Sequence, residues 1–143
     1  FDPGTIVGAK GTIPGAFPNE EFAERLNGAW GSTLTSFAYG PESYDATMLV
    51  ALAALKAGSA DSAGIAANMA AVSGANGGTE CTGWVECKDL IEAGEEIVYQ
   101  AVAGTGPFNS SNDPSSAWIG VYVYDENNTP IWTDAVYGEV PQG

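Results

Sequence analysis

The chain has 143 residues, 45% of them apolar, with 18 acidic against 4 basic side chains and no histidine. A formal charge of −14 argues against nucleic acid or an anionic membrane surface as partner, because phosphate binding needs clustered Lys and Arg. The absence of histidine removes the commonest general base and metal ligand, and the longest apolar run, Ala46 to Leu55, is about half of the roughly 18 residues that span a bilayer.

Thr5 to Ala9 reads as a short β-like run, and a Gly/Pro-rich stretch follows from Gly11 to Pro18. Asn19 is a good N-cap, with Glu20 and Glu21 where a helix dipole favours acids. Phe22, Leu26 and Trp30 then recur on one helical face. Thr33 to Phe37 is expected to be extended. The next helix should run from Pro41 to Ala57, with Pro41 at its first position and Gly58 as a left-handed stop. Tyr44, Met48, Leu52 and Leu55 line one face, and Val50, Ala53 and Ala54 make most of the remainder apolar, which predicts burial on several sides. A third helix is expected from Asp61 to Val72, with Gly74 beyond it. Thr82 should cap a fourth, on which Trp84, Cys87, Leu90 and Ile91 share a stripe and Gly94 gives the stop.

After Gly94 the period changes. Ile97 to Tyr99 reads as a strand, Gly104 to Pro107 as a turn and Asn109 to Ser116 as a polar loop. Trp118 to Tyr124 is the strongest strand signal; Asp125 to Pro130 turns it, and Ile131 to Tyr137 returns as a hairpin. Its aromatics, Trp118, Tyr122, Tyr124 and Trp132, are expected to pack or pair across strands. Val140 to Gly143 reads as a frayed tail. The whole is one α/β unit with about four helices, a C-terminal β-hairpin and short strands. It divides into 1–40 with the first helix, a helical part 41–94, and a turn and hairpin part 95–143.

The charge is uneven: residues 89–143 hold nine acids and no base. This reads as a solvated acidic surface, with a docking face for a cationic partner as the alternative. Cys81 and Cys87 enclose five residues. Zinc spacing and a CxxC motif are both absent, leaving a small disulfide loop or two buried thiols. A disulfide suits a secreted chain low in lysine and would pin a helix start. Phe1-Asp2-Pro3-Gly4 shows no signal peptide, and a first residue other than Met reads as a processed protein or a fragment. Asn109-Ser110-Ser111 and Asn127-Asn128-Thr129 match the glycosylation sequon.

Catalysis finds no footing. Triads that need histidine cannot be built. The neighbouring acids Glu20/Glu21, Glu95/Glu96 and Asp125/Glu126 do not face one another as acid and base must. No calcium loop or phosphate-cradling glycine motif is present. The expectation is a non-enzyme with no metal and no cofactor.

The order of motifs carries a resemblance. Gly11-Thr12-Ile13-Pro14-Gly15, Ser43-Tyr44-Asp45-Ala46 with Leu49-Val50-Ala51-Leu52-Ala53, and Gly78-Thr79-Glu80-Cys81 come first. Leu90-Ile91-Glu92-Ala93-Gly94, Ile97-Val98-Tyr99, Gly106-Pro107-Phe108 and Trp118-Ile119-Gly120-Val121-Tyr122 follow. Together they resemble the C-terminal portion of the branched-chain-amino-acid-type substrate-binding proteins of ABC importers, which have the type I periplasmic-binding-protein fold. The chain departs from that family at Ala101 and Ala103, and where Thr105-Gly106 precede Pro107. Family members are more than twice as long and close two lobes on their ligand, so the resemblance implies an incomplete version of that fold. It also implies an extracytoplasmic location, an amino-acid-like solute, and an ABC permease and a missing N-terminal portion or second chain as partners. Tyr44 matches the aromatic that packs on the ligand, with Phe37 and Tyr39 as further ligand-binding candidates on the adjoining run. The competing expectation is a structural or self-assembling surface subunit, since a piece of such a fold leaves open strand edges.

Overall fold

The computed structural model describes residues 1–140. Its elements are β1 (Lys10–Pro14), α1 (Glu20–Trp30), α2 (Gly40–Ala57), α3 (Ser62–Ser73) and β2 (Thr79–Cys81), then α4 (Gly83–Glu92), β3 (Ile97–Tyr99), β4 (Ser116–Tyr124) and β5 (Pro130–Glu139). The class is mixed α/β, with four helices, an antiparallel sheet in the order β1-β4-β5 and a parallel pair β2-β3.

Local chemistry sets most helix ends. The Asn19 and Asp61 side chains accept the backbone N–H groups of Phe22 and Gly64, satisfying donors that a helix start leaves free. Gly58 and Gly74 close α2 and α3 in the left-handed conformation. Thr82 stands at the N-cap of α4 but its side chain does not cap; its hydroxyl donates to Glu86, 2.9 Å away.

The core gathers where α2, α3 and α4 meet the β2-β3 pair. Met48, Leu49, Leu52 and Ala53 of α2 pack with Val72, Cys81, Cys87, Ile97 and Tyr99. Cys81 and Cys87 form a disulfide with Cα atoms 5.2 Å apart, tying the end of β2 to the middle of α4. The bridge fits an oxidising compartment. Among the described residues no single helix is long and apolar enough to cross a membrane.

The sheet is held to this body largely through loops and isolated contacts. Phe108 donates its backbone N–H to the Ser73 hydroxyl at 2.9 Å, and Gly106 donates to the Ser116 carbonyl at 2.9 Å. Trp118 stands opposite Tyr137 across the hairpin, ring centroids 5.1 Å apart. A bulge between Val121 and Tyr122 leaves Thr133 as an extra residue on β5, and its hydroxyl donates to the Val121 carbonyl.

Several expectations need correction. Thr5 to Gly8 form turns rather than a strand, and the strand begins at Lys10, where pairing with β4 is available. Thr33 to Phe37 form no strand; no neighbouring strand meets them. Trp30 is 72% exposed, because α1 buries its N-terminal end through Phe22 and its last turn projects away. Trp84 is also substantially exposed, so α4 packs through Cys87, Leu90 and Ile91 instead. α2 is not covered on several sides: Ala46, Thr47 and Val50 face outward. β2 has no counterpart among the expected elements; its three residues become a strand only by pairing with β3. Of the expected frayed tail, residues 141–143 lie outside the described residues, while Val140 donates to the Ser115 carbonyl at 2.8 Å.

Glu42, in the first turn of α2, is the chief unpaired polar group. Both its carboxylate oxygens are buried without a hydrogen-bond partner, and the group packs against Gly15, where a β-carbon would overlap Oε1. Burial pushes its carboxyl above the ordinary 4.5, aided by the charge of Asp45. A raised folded value means the native state holds the proton more tightly than the unfolded chain. Stability from this group is therefore full below 4.5 and is lost as pH rises through the folded value. Glu42→Gln should remove that dependence. Urea unfolding between pH 4 and pH 8 should show wild type losing ground to the variant as pH rises; parallel curves would show that Glu42 carries no penalty.

Candidate binding cleft

Tyr44 leaves the start of α2 and meets Phe22 of α1 edge to face, ring centroids 5.2 Å apart. Arg25 lies one turn beyond Phe22 on the same helix and sets its guanidinium over both rings, 5.6 Å from the Phe22 centroid and 5.3 Å from that of Tyr44. Spacing of three residues places Phe22 and Arg25 on one face, and the rings' electron-rich faces attract the cation. Arg25 Nη2 also donates to the Tyr44 hydroxyl at 3.4 Å. That hydroxyl is the main influence holding the guanidinium further toward its charged form.

These side chains form one wall of an open cleft of about 470 Å³. Asn19 and Glu21 extend the α1 wall, Thr82 and Gly83 enter from the turn before α4, and Gln100, Ala101 and Val102 close it from the segment after β3. The cleft is mixed in character, with aromatic faces beside an amide, a cation and a carboxylate. Small-molecule sites have this composition: apolar walls with a few placed polar groups.

Asp45 fixes the third wall. It is 3% exposed and accepts three hydrogen bonds: from the Tyr99 hydroxyl at 2.7 Å, the Val102 N–H at 2.9 Å and the Ala103 N–H at 2.7 Å. Burial, with the Asp45 charge and hydrogen bond added, pushes the Tyr99 hydroxyl far above the ordinary tyrosine range. Asp45 is thus the fastener between α2 and the segment that faces Tyr44. The Ser43-Tyr44-Asp45-Ala46 motif by itself assigns Asp45 no role; an acid where the apolar run of the helix begins is the available signal, because such a group must find donors once buried.

Tyr44 therefore serves two ends at once. Its ring packs against the core cluster, as the apolar helical stripe predicts, and also lines the cleft. Phe37 and Tyr39 are not among the residues around it. Phe37 packs edge to face on Phe17, which in turn meets Trp132. Tyr39 is the N-cap of α2 in the left-handed conformation and is about half exposed. Arg25 and Gln100 were missed as site residues; the Phe22–Arg25 spacing was a usable signal for the first, and nothing local marks the second.

A second, more apolar groove of about 550 Å³ runs along β5, lined by Phe17, Pro130, Ile131, Trp132, Thr133, Asp134 and Ala135. It is larger but lacks convergent polar groups, so it offers contact area without the means to orient a small polar solute. Among the described residues no cluster of three or more His, Cys, Asp or Glu side chains could hold a metal ion. No protein-family model, curated protein or solved structure matches this chain.

Proposed function

We propose that the chain is part of an extracytoplasmic receptor that captures an amino acid or similar small polar solute for an ABC importer, with Tyr44 as a ligand-contacting aromatic. The observation that carries this reading is the cleft itself: Tyr44, Phe22 and Arg25 converge on one wall, opposite a segment that Asp45 holds in place. The disulfide agrees with an extracytoplasmic location. The order of sequence motifs supports the solute-receptor family. Capture needs no catalytic group. Binding a solute between two walls, and closing a second lobe or chain over it, is the mechanism such receptors use.

Titration with small amino acids, followed by amide chemical shifts of the chain, tests the reading. Saturable shifts should concentrate on Arg25, Tyr44, Gln100 and Val102. Tyr44→Ala should weaken binding about tenfold, the equivalent of about 1.4 kcal/mol of aromatic contact. Unchanged affinity in that variant would overturn the assignment of Tyr44.

A second reading, a self-associating structural subunit, has one observation in its favour. β5 is one of the two edge strands of its sheet, and Ile131, Val136 and Tyr137 on it are exposed. Residues 89–143 carry no base to offset Asp134 and Glu139 on that strand, so like charge opposes pairing of two copies at low salt. Sedimentation at low and high salt separates the two readings.

A further inference from the structure

Of the four basic side chains, Lys10 and Arg25 have no acidic partner within ion-pair distance among the described residues, and of these two only Arg25 lines the cleft. Lys56 is paired with Glu96, and Lys88 with Asp89 and Glu92. In a chain of eighteen acids, Arg25 makes no ion pair among the described residues. Its guanidinium instead lies over the Phe22 and Tyr44 rings, with a single long hydrogen bond to the Tyr44 hydroxyl. Stacking holds a guanidinium through its flat face and leaves the donors around its edge free. Those donors form a rigid fork that matches the two oxygens of a carboxylate.

Resting on the solute-capture reading above, we propose that the cleft selects a small monocarboxylate, and that Arg25 binds the carboxylate while the Phe22 and Tyr44 rings hold the fork in position. The surroundings narrow the class further. Among the described residues Arg25 is the only cation lining the cleft, and Glu21 lies on the same wall. A dianion would bring a second negative charge toward Glu21 in a chain of net charge −14, where like-charge repulsion disfavours it. An ammonium group on the same solute would instead be drawn toward Glu21. The favoured ligand is a zwitterion with one carboxylate, its carbon skeleton against the Tyr44 ring.

Three probes differing by one group test this by calorimetry or amide shifts: L-alanine, L-alaninamide, which lacks the carboxylate, and propionate, which lacks the ammonium. L-alanine should bind at least tenfold more tightly than L-alaninamide, with propionate between them. Arg25→Gln should abolish the preference for L-alanine over L-alaninamide, and Arg25→Lys should keep part of that preference. Arg25 is exposed on α1, so these variants should fold as wild type does. Equal binding of acid and amide, or a preference that survives Arg25→Gln, would overturn the proposal. If acid and amide bind equally and Tyr44→Ala weakens both, the cleft reading stands and the carboxylate assignment alone falls. If no probe binds, both fall.

Discussion

Asp45→Ala is expected to lower the unfolding free energy by about 4 kcal/mol. The carboxylate accepts three hydrogen bonds in a buried position, and hydrogen bonds to a charged group contribute about 1.5–3 kcal/mol each. Alanine removes the acceptor and leaves the Tyr99 hydroxyl and two backbone N–H groups without their partner. Partial rearrangement of residues 101–103 reduces the simple sum. Urea unfolding followed by circular dichroism measures the loss, and Tyr99→Phe provides the comparison. That variant deletes one of the three bonds and should cost about 1.5 kcal/mol. A loss below about 1 kcal/mol for Asp45→Ala would mean the fastener is dispensable. Since the Ala101–Val102 segment faces Tyr44 across the cleft, the same variant should also weaken solute binding without touching the solute.

Gly78→Ala should cost at least about 3 kcal/mol, through backbone rather than side-chain chemistry. Gly78 has φ +136, which L side chains rarely adopt, and a β-carbon there would overlap the Glu96 carbonyl and lie 2.8 Å from the Ile97 nitrogen. Backbone cannot step aside as the end of a flexible side chain can. The Glu96 carbonyl also accepts the Thr79 N–H at 2.9 Å, beside the first pair of the β2-β3 ladder. Displacing it moves Ile97, one of the largest fully buried side chains. Gln100, which follows β3 into the cleft, donates to the Cys81 carbonyl at 2.9 Å and would move with the ladder. A variant within about 0.5 kcal/mol of wild type by urea unfolding would show that the close approach can relax.

These two positions mark the boundary of what the sequence makes legible. Helix ends were readable where one residue decides them: Asn19, Asp61, Gly58 and Gly74 act through their own side chain or backbone freedom. The hairpin was readable because β4 carries a long β-branched and aromatic run. β1 was placed too early because Thr5 to Ala9 looks as strand-like as Lys10 to Pro14, and only pairing with β4, more than a hundred residues away, chooses between them. β2 was lost for the same reason: Thr79-Glu80-Cys81 has no pattern of its own and is extended because β3 lies beside it.

The cleft divides along the same line. Tyr44 was legible through resemblance, and the Phe22–Arg25 spacing through helical geometry. Their convergence depends on how α1 folds back onto α2, a tertiary fact without a local signature. Phe37 and Tyr39, candidates for lying on the run that adjoins α2, do not line the cleft, because the chain between α1 and α2 turns without forming a strand and Phe37 packs on Phe17 instead.

The most direct test of the account is contact between a bound solute and the chain, read as nuclear Overhauser effects with L-alanine in excess. The account predicts cross-peaks from the alanine methyl protons to the Tyr44 ring. Cross-peaks to Phe17 and Trp132 in the β5 groove instead, or none to any residue of the cleft, would contradict it.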